Sequence, residues 1–189
     1  MLKKIIIGIT GASGVIYGVR IIKLLQKQNN IETHLIISDS AKQIIGIETK
    51  YKIDEIKALS DCSYDNNQLD SKISSGSFLT YGMIIIPCTI KTLSAIANSY
   101  TEKLIVRAAD VTLKEKRKLV LGVRETPFHK GHLNLMLKAA EMGACILPPI
   151  PSFYNLPKTI DDIIDQTIGK IFDYFEIKHN LFKRWEGEY

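Results

Sequence analysis

"IIIGITGASGVIYG", residues 5 to 18, joins a short apolar run to three glycines, Gly8, Gly11 and Gly14, and then to a helical pattern. An apolar run that stops at glycines and is followed by Val15, Val19 and Ile22 reads as a buried strand turning into an amphipathic helix. Turns of this kind hold phosphate groups, because the N–H groups at a helix start face outward and carry partial positive charge. The spacing is GxxGxxG, not the GxGxxG of dinucleotide folds. Where a ribose-binding acid would end the second strand, Ser38 stands, followed by Asp39. The turn therefore suits a mononucleotide phosphate better than a dinucleotide; a tight turn with no ligand is the alternative.

Outward from this stretch the pattern repeats. "KKIIIGI", "ETHLIIS", "GMIIIPC", "KLVLGVR" and "ACILP" read as strands. Helical stretches separate them: "ASGVIYGVRIIKLLQKQ", "DSAKQIIGIE", "TIKTLSAIANSY", "EKLIVRAADVTLKEKR" and "HLNLMLKAAEMG". Residues 51 to 81 are polar and turn-rich, and are expected to form an excursion or mobile loop. After the proline-stiffened "PPIPSFYNLP", "TIDDIIDQTIGKIFDYF" forms an amphipathic helix with Ile160, Ile163, Ile164, Ile168, Ile171, Phe172 and Phe175 as its stripe. Thr159 and Asp162 form a capping pair at its start. Alternation of this kind predicts a three-layer, Rossmann-like or flavodoxin-like α/β fold, an open parallel sheet with helices on both faces. Residues 1–189 are expected to form a single domain closed by the C-terminal helix and tail.

Composition narrows the function. The chain is 46% hydrophobic and 24% charged, as in ordinary globular proteins. No apolar run reaches the roughly 18 residues of a membrane span, and the apolar part of "MLKKIIIGITGASG" is too short for a signal core. Cys62, Cys88 and Cys145 are odd in number and form no CxxC pair, which fits a reducing, cytoplasmic setting. The net charge of +5 is mild and "LKEKRK" interleaves no aromatics, so an anionic small molecule is a better partner than nucleic acid.

In an open parallel sheet, ligands bind beyond the carboxyl ends of the strands. Those ends deliver Thr10, Gly11, Ala12 and Ser13; Ser38; Cys88, Thr89 and Lys91; Arg124 and Glu125; and Tyr154. Arg124 suits a phosphate and Glu125, if buried, a proton shuttle; an ion pair between the two is the alternative. Arg107, among small helical residues, has a surface salt bridge as its alternative. Lys114 stands at the inner edge of "LKEKRK", and Lys170 on the margin of the last apolar stripe. Cys88 reads as a buried small residue rather than a nucleophile, and His129 and His132 as capping or packing groups rather than a metal pair.

The pieces "GITGASGVIYGVR", "ETHLIIS", "SSGSF", "IIIPCTIKTLSAIA", "RAADVTLKEKRKLVL", "VRETP", "HLNLM", "GACILPPIPSFY" and "RWEGE", in this order, resemble the UbiX-type flavin prenyltransferases. The resemblance implies that reduced FMN is a substrate. Dimethylallyl monophosphate donates its five-carbon unit to flavin N5 and C6, without a metal. The product, prenylated FMN, serves a UbiD-type decarboxylase, most commonly in ubiquinone biosynthesis. It further implies FMN contacts at Gly11, Ala12, Ser13, Ser38, Arg124 and Thr89 to Thr92, with Arg107 near the flavin. Tyr154, Lys170 and Lys114 would grip the dimethylallyl phosphate, Trp185 would line the site, Glu125 would be the acid/base, and Ser13 would assist proton movement. It implies a homo-oligomer, up to a dodecamer, with sites shared between subunits. Two positions depart from the family's habit: Lys170 for arginine and Thr89 for serine, neither removing a functional group. The rivals are an FMN-dependent cysteine decarboxylase, whose Asn segment and Met-Asn clamp are missing here, an aromatic-acid decarboxylase, and a flavin electron carrier.

Overall fold

The structure, a computed structural model, describes residues 2–185 and 187. The chain forms two compact units, Met1–Leu147 and Pro148–Tyr189. The first holds a six-stranded sheet: β1 (Lys3–Ile9), β2 (Ile31–Ile37), β3 (Cys62–Tyr64), β4 (Gly82–Cys88), β5 (Lys118–Val123) and β6 (Ala144–Ile146). The order is β3-β2-β1-β4-β5-β6, and every pairing is parallel. Its helices are α1 (Val15–Leu25), α2 (Asp39–Glu48), the short α3 (Ile53–Lys57), α4 (Ile90–Ala97), α5 (Leu104–Lys114) and α6 (Lys130–Glu141).

The sheet is apolar on both faces because helices cover both, the expected arrangement for parallel strands. Ile6, Met83, Ile85, Leu119 and Leu121 share one core with Leu93 and Ile96 of α4 and Ile105, Ala108 and Ala109 of α5. On the other face α1 packs against β1 and β4, with Gly18 set against Ile9 and the Ile86 carbonyl. The alternating α/β reading is borne out here.

Residues 51–81 differ from the expected loop. They contain α3, a 3₁₀ turn at Lys72–Ser74 and the edge strand β3. At three residues, β3 is too short to show any alternation. What fixes it is a distant clamp: Asp61 Oδ2 accepts from the Thr33 N–H (2.7 Å) and hydroxyl (2.9 Å).

The second unit contains α7 (Ile160–Tyr174), begun by the Thr159–Asp162 capping box that the spacing predicts. Ile164, Ile168, Ile171, Phe172 and Phe175 are buried, but Ile160 is 77% exposed, so the apolar stripe starts a turn later than the sequence pattern places it. The chain after α7 folds back on it. His179 Nε2 and Arg184 Nη2 lie 3.0 and 2.7 Å from Asp173 Oδ1, and the His179 ring packs against Phe172 and Phe182. Among the described residues, no helix is long and apolar enough to cross a membrane.

Candidate functional site

Four strands end side by side, and their ends are tied by hydrogen bonds. The Ser38 N–H donates to the Ile9 carbonyl (3.0 Å) and the Arg124 N–H to the Cys88 carbonyl (3.0 Å). Between them, the Thr10 hydroxyl donates to the Pro87 carbonyl (2.7 Å) and accepts from the Thr89 N–H (2.9 Å). This edge opens on a cleft of about 560 Å³, open solvent included, lined by Ser38, Ser40, Thr89, Lys91 and Thr92 on one side. Ala95, Asn66, Tyr100, Glu102, Lys103, Ile105 and Val106 contribute the rest.

The glycine turn explains itself in atoms. A Cβ on Gly11 would stand 2.4 Å from Ser40 Oγ and 2.9 Å from the Ser40 backbone carbon, so only glycine lets α2 approach. Gly14 has φ 95°, the left-handed region that L side chains rarely adopt. The first N–H groups of α1 are already taken: Glu48 Oε2 accepts from Gly14 N–H (2.8 Å) and Val15 N–H (3.3 Å). The N–H groups of Gly11, Ser13 and Ile16 have no partner among the described residues. The free donors of the turn thus lie both in the loop before the helix and at the second residue of α1. Glu48 has no sequence signal; it lies 34 residues from Gly14 and reaches the turn from the far end of α2.

Ser38 and Thr89 cap α2 and α4, their hydroxyls accepting from Ala41 N–H (3.2 Å) and Thr92 N–H (3.1 Å). At the start of α4 this brings Lys91 and Thr92 to the cleft with Thr89, whereas Ile90 packs against the hydrophobic core instead. Asn66 caps α5, its Oδ1 accepting from Ile105 N–H (3.1 Å). Sequence reasoning missed Ser40, Asn66, Tyr100 and Lys103, since the last three sit in segments with no recognisable motif.

Arg124 and Glu125 are both exposed, and the ion pair weighed between them does not form among the described residues. Glu125 Oε1 accepts instead from the Thr126 N–H (3.0 Å). The burial that a proton-shuttling Glu125 requires is not supplied by this chain alone. Arg107 takes its bland alternative: it pairs with Asp110 (3.2 Å) and donates to the Ser74 carbonyl (3.1 Å), fastening the 3₁₀ turn to α5. Lys114 lies at the opposite end of α5 from the cleft residues Ile105 and Val106, about 13 Å along the axis at 1.5 Å per residue. There it pairs with Glu115 (2.6 Å), beside the "SSGSF" segment, whose Gly76 and Phe78 carbonyls accept from Arg117.

Tyr154, Lys170 and Trp185 belong to the second unit. Tyr154 and Trp185 meet edge to face at 6.2 Å, and Lys170 is exposed on α7. Cys88 ends β4 fully buried, and burial pushes its thiol up to about 12, which keeps it protonated and inert as a nucleophile. His129 caps α6, accepting from the Gly131 N–H (3.0 Å), as its position predicts.

A six-stranded parallel sheet in the order β3-β2-β1-β4-β5-β6, with its cleft at the carboxyl edge, is a Rossmann-like or flavodoxin-like α/β protein. The sequence model of the Flavoprotein family matches residues 2–184. The flavin prenyltransferase UbiX of Salmonella typhimurium is 53% identical over 188 residues, covering 98% of this chain and 100% of that protein. The structure of AnUbiX (PadA1) in complex with FMN and dimethylallyl pyrophosphate superposes with a TM-score of 0.97 at 41% identity, over the whole of both chains. That of a dodecameric FMN-dependent UbiX-like decarboxylase from Escherichia coli O157:H7 gives 0.95 at 46% identity, over 97% of this chain and 100% of that one. The chain belongs to the Flavoprotein family, as one of its UbiX-type flavin prenyltransferases.

Proposed function

We propose that this chain joins the dimethylallyl group of dimethylallyl monophosphate to N5 and C6 of reduced FMN, and hands the prenylated FMN to a UbiD-type decarboxylase. The observation that carries this reading is the carboxyl-edge cleft, lined by Ser38 at the end of β2 and by Thr89, Lys91 and Thr92 after β4. The cleft fits FMN: the hydroxyl residues Ser38, Ser40, Thr89 and Thr92 line it, Ala95, Ile105 and Val106 offer an apolar wall, and Gly11, beside Ser40, has a free N–H group. Reduced FMN, when bound, supplies the nucleophilic N5 and C6.

The remaining roles fall to this chain's own residues. Gly11, Ala12, Ser13 and Ser38 hold the FMN phosphate, with Arg124 as a bidentate partner. Thr89 to Thr92 orient the flavin, and Arg107 keeps the loop after the 3₁₀ turn in place. Tyr154, Lys170 and Lys114 bind the phosphate of the donor and stabilise its charge as the C–O bond breaks, beside Trp185. Glu125 relays the two protons that N5 and C6 lose as they are alkylated, one to the leaving phosphate and one to the alkene carbon that becomes saturated on ring closure, with Ser13 assisting.

The working form is a homo-oligomer, a dodecamer in this reading, with sites completed between subunits. Two observations support it: Glu125 is exposed, and Lys114 lies at the wrong end of α5 for its own cleft. The two compact units act as one flavoprotein domain. Three free thiols support a cytoplasmic setting, and ubiquinone biosynthesis is the pathway we assign. Mixing inactive subunits tests the shared site. Glu125→Gln and Lys114→Ala, each expected to lose at least about 100-fold in prenylated FMN formed, should recover part of that activity when dissociated, mixed and reassembled. Failure of every mixture to exceed its parents would remove the shared site.

A further inference from the structure

Away from the cleft, β2 and β3 bring together three side chains that ligate metals. Glu32 and His34 are two apart on β2 and so project from the same face, and Cys62 pairs with His34 in the parallel register. The Glu32 carboxylate, a ring nitrogen of His34 and Cys62 Sγ all lie within 4.8 Å of one another, the one such group among the described residues. His34 is fully buried. Its Nδ1 is 2.9 Å from the Tyr64 hydroxyl, while Nε2 is buried without a hydrogen bond. Glu32 Oε1 stands 3.0 Å from Nε2, an electrostatic contact outside hydrogen-bond geometry.

We propose that Glu32, His34 and Cys62 form a site for a zinc-class divalent ion, with a fourth position open to solvent. One nitrogen, one sulfur and one oxygen ligand suit Zn²⁺ or Co²⁺ and not Mg²⁺ or Ca²⁺. With Nδ1–H donating to the Tyr64 oxygen, the Nε2 lone pair faces the ion and the ring is held in place. Binding releases the Cys62 thiol proton to solvent. The ion fastens the edge strand β3, only three residues long, to β2. Lys72 Nζ, 3.8 Å from Cys62 Sγ, opposes the ion, but Lys72 is exposed and free to withdraw. Lys4, seated over the Phe78 ring at 4.5 Å, is the other cation close by.

The test is an anaerobic titration of the full, reduced chain with Co²⁺, free of added thiol. The expected result is one Co²⁺ per chain, a thiolate-to-cobalt charge-transfer band and displacement by Zn²⁺. Cys62→Ser should abolish the band. Glu32→Gln, at a partly exposed side chain that tolerates the change, should weaken Co²⁺ binding at least about tenfold and stands as the test if Cys62→Ser does not fold. A wild-type chain without the band overturns the proposal. So does a band that survives in Cys62→Ser, which would assign it to Cys145, the other partly exposed thiol.

Discussion

Thr10 is 1% exposed, and its hydroxyl both donates to Pro87 and accepts from Thr89, so a single oxygen joins the ends of β1 and β4 under the cleft. Thr10→Val keeps the shape and leaves the Thr89 N–H unpaired, while the Pro87 carbonyl keeps only the Thr10 N–H (3.2 Å), a loss of about 1–3 kcal/mol. A lowered melting temperature together with weaker FMN binding is the expected result, read by thermal unfolding and flavin titration. An unchanged FMN affinity would mean that the cleft does not depend on this tie. At this scale the sequence is readable where chemistry is local. Ser38 and Thr89 are recognisable because helix caps use hydroxyls at the residue before the first turn. Glu48 is not, because the N–H groups it serves lie 34 residues away and nothing around it calls for an acid. Arg124 and Glu125 are visible as a pair, but their exposure is a property of the folded chain that adjacency does not reveal.

Among the elements, α7 and the segment after it make the clearest case. The capping box and most of the apolar stripe are written in the spacing from Thr159 to Phe175. The return of the chain is not, since it rests on Asp173 meeting Arg184 and His179, residues with no periodic relation. Arg184 beside Asp173 holds that carboxyl below the ordinary carboxylate range, and His179 adds to the effect. A depressed folded-state pKa means the contact contributes fully above the unfolded value of about 3.9 and is lost as pH falls below it. Trp185, the chain's only tryptophan, reports this contact through its neighbour Arg184. In flavin-free protein, its emission should change in acid below about pH 4. In Arg184→Ala that change should move to higher pH; identical titrations in the two proteins would refute the role of the ion pair. Strand β3 marks the limit of pattern reading. Three residues carry no period, and only Asp61 bonded to Thr33 and the pairing with β2 define it.

For the whole molecule, the alternation of apolar runs and helical stretches reveals the parallel sheet, because only strands covered on both faces read as continuous apolar runs. The rule that ligands lie beyond the carboxyl ends then locates the cleft without any motif. What stays hidden is how far each helix carries its residues from that edge. Lys114 looks like a neighbour of the site in sequence, yet the length of α5 sets it about 13 Å away. Leu133 and Leu137, one turn apart on α6, are 53% and 59% exposed, with Phe128 just before the helix also open. A stripe of this kind is the surface that a second copy covers in closed assemblies.

The measurement that bears most directly on this account is anaerobic incubation of the purified protein with reduced FMN and dimethylallyl monophosphate, followed by mass analysis of the released flavin. A flavin heavier by one five-carbon unit, formed only when both substrates are present, is the predicted result. Unaltered FMN, recovered from protein shown to bind it, would contradict the transferase assignment.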